Sequence, residues 1–193
     1  MFKTNGFILN IQKIRDSYFR IILVTREYGR ISCWHKIKSC GYDIGDVIHI
    51  SIERIGNNNT IKSVDTVLSV SGQNWNYHSI ISFLDLISLL EKTLPESMLH
   101  VSIFDDYITL IKILHSETTV PDRYHFLLLK IRILKTLGIL NPREMHNEPI
   151  GRYIINNIRN TPIQLLLKSR KLDETTLNGI IRTIDLSTDN TIL

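Results

Sequence analysis

Seven residues near the start of the chain have the types and spacing to hold a polyanion that also offers flat aromatic faces. On a β-strand, alternate side chains point to opposite sides. The run 17–25 therefore divides into Phe19, Ile21 and Leu23 on one side and Tyr18, Arg20, Ile22 and Val24, continued by Arg26, on the other. The run 30–38 divides into Ile31, Cys33, His35 and Ile37 against Arg30, Ser32, Trp34, Lys36 and Lys38. The first set of each run is core-like. If the strands are antiparallel neighbours, the second sets bring Tyr18, Arg20, Arg26, Arg30, Trp34, Lys36 and Lys38 onto one outer face. Cations follow the phosphates of a nucleic acid, and aromatic rings stack single-stranded bases at roughly 1–3 kcal/mol each. The chemistry expected is nucleic-acid binding with no bond made or broken. The competing expectation is that these cations only solvate a barrel face and that Trp34 packs against the rest of the chain. Ile22 and Val24 on the same face point to partial burial.

Motifs for catalysis or cofactor binding are not apparent. There is no Gly-rich phosphate loop, no His-Glu metalloprotease motif and no nucleophile elbow. Cys33 and Cys40 have no second pair with which to build a zinc site or a disulfide framework, and the seven histidines are scattered. Asp105-Asp106 is an adjacent pair whose side chains diverge by about 100° on a helix, so helix-start charge explains it better than a shared metal or proton. Glu53, Asp65 and His49 fall on expected strands without a sign that they converge. A non-enzyme without cofactor or metal is expected.

Elements of two kinds position these residues. Period-two patterning rich in Ile, Val and Thr predicts strands over 6–14, 17–25, 30–38, 46–54 and 60–70, broken by turn-forming residues. Five strands in about seventy residues fit a small closed barrel of the OB type, since closure removes unpaired edges. In such a barrel the second and third strands, with the loops after strands one and four (Arg15-Asp16 and residues 57–59), form the usual binding surface. Ser71 to Asn74 is a candidate linker, after which the period becomes helical, over 79–92, 101–115 and 121–140, then over shorter stretches at 150–159, 162–170 and 173–184. The layout expected is β + α with two domains: residues 1–70 an OB-fold nucleic-acid-binding domain, and 71–193 an all-α helical domain. The helix over 79–92 is apolar around most of its circumference and should be well buried.

Charge follows the same division. Of 193 residues with a net charge of +4, residues 1–70 hold ten Lys or Arg against six Asp or Glu, and the remainder hold thirteen of each. The whole excess is N-terminal, on the side expected to meet an anion. On the helical side, Lys130, Arg132 and Lys135 flank apolar positions and would rim a groove for an acidic peptide tail, or simply solvate a helix face. No apolar run reaches the roughly 20 residues a membrane crossing needs, and the first residues lead into a strand without a signal-peptide pattern. No membrane association and a cytoplasmic location are expected.

Two stretches resemble the RecO family of bacterial recombination mediators. One is Gly6-Phe-Ile-Leu, continuing through Ser17-Tyr-Phe-Arg-Ile-Ile-Leu-Val-Thr-Arg-Glu-Tyr-Gly-Arg30, with a Thr-x-x-x-Gly-Arg turn. The other is Leu90-Glu-Lys-Thr-Leu-Pro-Glu96, followed by Phe104 to Leu114 and by Tyr124 to Gly138 with its Leu-Gly ending. The resemblance implies an OB-fold followed by a helical domain, binding of single- and double-stranded DNA, strand annealing, and help in loading RecA in place of single-strand-binding protein. It implies RecR and the acidic C-terminal tail of single-strand-binding protein as partners, a nucleoid location when DNA-bound, and DNA contacts at Arg20, Arg26, Arg30, Lys36 and Lys38. The chain departs from the family in lacking any cysteine after Cys40, where many members hold a four-cysteine zinc module. It also carries Trp34-His35-Lys36-Ile37 where the family has a glycine after strand three, and is similar to a short form of the family.

Overall fold

The computed structural model describes residues 1–71, 75–116, 123–140 and 161–168, together with Ile158 and Gly179. Five strands, β1 (Phe2–Arg15), β2 (Tyr18–Thr25), β3 (Gly29–Lys36), β4 (Val47–Ile55) and β5 (Asn58–Leu68), close into a barrel in the order β1-β2-β3-β5-β4. All neighbours are antiparallel except β3 and β5, which meet in parallel at Cys33↔Asn59 and Trp34↔Thr60. Helices α1 (Tyr77–Thr93), α2 (Val101–Ser116), α3 (Arg123–Thr136) and α4 (Ile163–Lys168) follow. The β + α layout and the barrel agree with the sequence reading. The helices expected over 150–159 and 173–184 lie outside the described residues, save for Ile158 and Gly179.

The strand bounds differ from expectation for reasons of pairing. β1 starts at Phe2 because it serves two neighbours: Phe2 to Phe7 pair with β4, and Gly6 to Arg15 with β2. β5 starts at Asn58 because Ile55 pairs with Asn58 across a two-residue turn in which Gly56 takes φ 60°. β3 ends at Lys36, leaving Lys38 exposed on the connection to β4.

The barrel interior is filled by Ile8, Ile21, Leu23, Ile48, Ile50, Ile52 and Ile61 with Phe19 and Cys33, so the alternation read on β2 holds. β-Branched side chains suit this pleated, closely packed setting. Tyr42, from the β3–β4 connection, joins this core and shares a 2.7 Å hydrogen bond with His35 Nδ1. The Asp46 carboxylate, itself buried, accepts bonds from Asp43 N, Ser69 Oγ and Val70 N, tying that connection to the end of β5. Burial pushes the Cys33 thiol up to about 12, and the thiolate is the nucleophile in alkylation. Cys33 is therefore expected to escape iodoacetamide at pH 8 in the folded protein and to react once urea is added. Mass spectrometry of the two samples checks this.

The chain forms two compact units, and their division differs from a break at residue 70: Met1–Asn74 with Ile87–Lys112 form one, Trp75–Leu86 with Ile113–Leu193 the other. In the first, the segment 87–112 lies on the outer face of β1 and β2. Phe7 stacks on Tyr107 with centroids 3.9 Å apart and on Phe104 at 5.9 Å. The Tyr107 hydroxyl donates to Gly45 O at 2.6 Å, and Asn10 Nδ2 donates to Glu91 at 2.7 Å. Val24 is the register partner of Phe7 and Ile22 that of Asn10, so this cover buries both.

In the second unit Trp75, Phe83 and Phe126 form an aromatic cluster with centroids 5.1–5.8 Å apart. α3 is buried along most of its length, and α4 packs against it. α1 departs from expectation in part. Phe83, Leu86, Ile87 and Leu90 are buried, but Tyr77, Ile80, Ile81 and Leu84 form an exposed stripe at helical spacing. A helix that is apolar all round has more such surface than one face of neighbours covers.

Candidate nucleic-acid interface

The register between β2 and β3 settles which outward residues meet. Tyr18 lies opposite Lys36, Arg20 opposite Trp34, Ile22 opposite Ser32 and Val24 opposite Arg30. Directly opposed side chains share a face, so the set read from the alternation is one surface. It is divided in function by the segment 87–112, which covers the end near the β2–β3 turn and leaves open the end near the β1–β2 turn.

At the open end Tyr18, Trp34, Lys36, Ile55, Asn58 and Thr60 line a groove of about 280 Å³. Lys36 Nζ stands 5.5 Å from the centre of the Tyr18 ring, holding a cation at the groove wall. Arg20 is fixed by an Nε bond to Ser32 Oγ at 2.8 Å. Arg15, exposed, is the register partner of Tyr18 and brings a further cation to the same end. Trp34 is half-buried and borders the groove. Ile55 is 57% exposed, an apolar side chain at the rim where a base or sugar would rest.

At the covered end the cations have other work. Arg26 forms a two-bond ion pair with Asp105, Nε to Oδ1 at 3.0 Å and Nη2 to Oδ2 at 3.2 Å, which raises its pKa through that hydrogen bond and the carboxylate charge. Both partners are about half exposed, so the pair is a weak tie. Arg30 Nη1 donates to Leu94 O at 2.8 Å, and Arg30 O accepts from Ser97 N at 2.9 Å. Arg30 is thus a strut between β3 and the segment after α1. The turn that presents it is closed by Thr25, whose buried hydroxyl donates to Gly29 O and accepts from Tyr28 N, each at 3.1 Å.

The seven residues therefore fall into three groups. Tyr18, Trp34 and Lys36 line the groove, with Arg20 beside it as the register partner of Trp34. Arg26 and Arg30 are engaged by the segment 87–112, and Lys38 stands off the strand. Ile55 and Thr60 were not legible as site residues, because their membership depends on the parallel Trp34↔Thr60 pairing across the closing seam. On α3, Lys130, Arg132 and Lys135 are half-buried, and Arg132 Nη1 donates to Ile158 O at 2.8 Å and Thr161 O at 2.5 Å. Arg132 thus holds backbone carbonyls where the sequence suggested a groove rim.

Among the described residues the carboxylates do not gather. Glu53 is paired with Lys62 at 2.7 Å, Asp105 with Arg26, and His49 Nδ1 shares a 2.8 Å bond with Asn5 Oδ1. Among the described residues no group of three or more His, Cys, Asp or Glu is placed to hold a metal ion, and no helix is long and apolar enough to cross a membrane.

His35 lies on β3 between Trp34 and Lys36, pointing inward. Burial lowers its pKa, and that of His100 moves the same way for the same reason. As pH falls the unfolded chain therefore takes up these protons first. The stability this contributes is complete above the ordinary value of about 6.5 and is lost as pH falls below it toward the lowered folded values. The urea midpoint is expected to drop between pH 7.5 and pH 5.5, with a smaller drop for His35→Gln.

A five-stranded closed barrel of this strand order, with a cationic and aromatic groove beside the β1–β2 and β4–β5 turns, defines the class: an OB-like barrel protein. No protein-family model matches the chain, and no curated protein matches its sequence.

Proposed function

We propose that the chain is a DNA-binding mediator of the RecO type, which binds single- and double-stranded DNA, anneals complementary strands and assists RecA loading without chemistry of its own. In this reading RecR and the tail of single-strand-binding protein are its partners, and it works in the cytoplasm, on the nucleoid when bound to DNA. The observation that carries the reading is the convergence of Tyr18, Trp34 and Lys36 at one open groove of an OB-like barrel, with Arg20 on the neighbouring strand opposite Trp34. Stacking and phosphate contact need those two residue types side by side. The family reading draws further support from the meeting of its two stretches, since Arg30 of the first bonds Leu94 O and bridges to Glu96 of the second.

The test is strand annealing. Two complementary oligonucleotides, one with a fluorophore and one with a quencher, are expected to pair several-fold faster with the protein than without it. Lys36→Ala is expected to remove much of the gain. A second reading, a protein-interaction module whose basic face is only solvated, is favoured by the engagement of Arg26 and Arg30 within the protein. It predicts an annealing rate equal to that of the protein-free control.

A further inference from the structure

A second and larger cavity, about 730 Å³, opens on the same barrel at the other end of β3. The asparagine run borders both spaces: Asn58 lines the groove, while Asn57 and Asn59 line the cavity. Ser32 in the cavity and Trp34 in the groove are two residues apart on β3, roughly 7 Å along an extended strand. A single strand leaving the groove along β3 covers roughly 17 Å from Trp34 to Gly29, a few nucleotides, before it meets the Tyr28 wall of the cavity.

The lining suits a nucleotide better than a bare anion. Phe2 and Tyr28 form one wall with ring centroids 4.4 Å apart, and Tyr28 is 40% exposed. Arg54 is exposed and forms no ion pair among the described residues. Arg30 reaches the same space with a buried Nε that has no hydrogen-bond partner, although its Nη1 is held by Leu94 O. Glu27 and Glu96 also line the cavity, so its cations and acids balance and a phosphate alone gains little there. Carboxylates and carboxamides accept from the exocyclic amines of cytosine, adenine and guanine, which thymine lacks.

Resting on the DNA-binding reading above, we infer that this cavity is a second base-binding subsite of the same strand. Tyr28 and Phe2 take the base face, Asn57, Asn59 and the two glutamates its polar edge, and Arg54 the phosphate at the mouth. It extends the footprint of the barrel and adds a preference for amino-bearing bases.

Two oligodeoxycytidylates, of about 4 and about 12 nucleotides, separate the subsites, since barrels of this class cover roughly 4–16 nucleotides. In fluorescence anisotropy, Arg54→Ala and Tyr28→Ala are each expected to weaken the 12-mer about fivefold or more and the 4-mer less than about twofold, whereas Trp34→Ala weakens both. Wild-type protein is also expected to bind the 12-mer of cytidylate more tightly than that of thymidylate. Equal losses at both lengths, or none at either, overturn the second subsite while leaving the groove in place. If the wild-type protein binds neither oligomer, the DNA-binding reading is lost and the subsite with it. Arg54 is exposed on the barrel, so its variant reports binding even if Tyr28→Ala disturbs the turn.

Discussion

Trp34→Ala is expected to lower affinity for a single-stranded oligonucleotide by about 5- to 150-fold, the equivalent of one lost stacking platform at roughly 1–3 kcal/mol. The effect is large because the indole lines the groove. Arg20 is its register partner on β2, Thr60 its partner on β5, and Tyr18 and Lys36 line the space beyond it. It is also cleanly separable from folding, since Trp34 is half-buried on the outer face and the interior core does not include it. Thermal melting should change little while binding falls. Trp75, packed on Phe83 and Phe126 in the other compact unit, serves as the control: Trp75→Phe is expected to leave DNA affinity within about twofold of wild type. Equal losses for the two variants would remove the groove from the account.

Gly29→Ala is expected to cost about 2–5 kcal/mol of stability, adding the strain of a left-handed backbone for an L-residue to that of an overpacked contact. Gly29 takes φ 66°, and a Cβ there would sit 2.1 Å from the carbonyl oxygen of Met98. Relief is not local. Moving Met98 pulls on Ser97 N, bonded to Arg30 O, and on Leu94 O, which holds the Arg30 guanidinium. Urea denaturation at neutral pH reads the loss as a lower midpoint with an unchanged slope. A cost below about 1 kcal/mol would mean that the segment after α1 is not held against β3 as described.

The barrel was legible because its physics is local. Period-two alternation placed Phe19, Ile21, Leu23 and Cys33 in one core, and the β2–β3 register joined Tyr18, Arg20, Trp34 and Lys36 as the alternation implied. Strand bounds slipped where pairing partners decide them, as at Phe2 and Lys36. What alternation does not reveal is which part of an outer face is covered. Arg26 and Arg30 read like Tyr18 and Lys36, yet they meet residues 64 to 79 positions later in the chain, and no short-range pattern carries that distance. Ile22 and Val24 were the visible hint, because apolar side chains amid cations on an outward face imply a cover. The Asp105-Asp106 pair was the other half of that hint: Asp105 meets Arg26, while Asp106 is buried.

The salt dependence of single-strand binding tests the central claim most directly. Phosphate contact releases counterions, so log affinity should fall linearly with log salt, by about 0.7 for each phosphate neutralised on a single strand. Arg20→Ala and Lys36→Ala are each expected to reduce that slope by about one contact, while Arg26→Ala, already committed to Asp105, leaves it nearly unchanged. A steep wild-type slope that flattens in the two groove variants is the predicted result. Absence of binding at low salt, or a slope that Arg26→Ala reduces as much as Lys36→Ala does, would contradict the groove as the place where DNA lies.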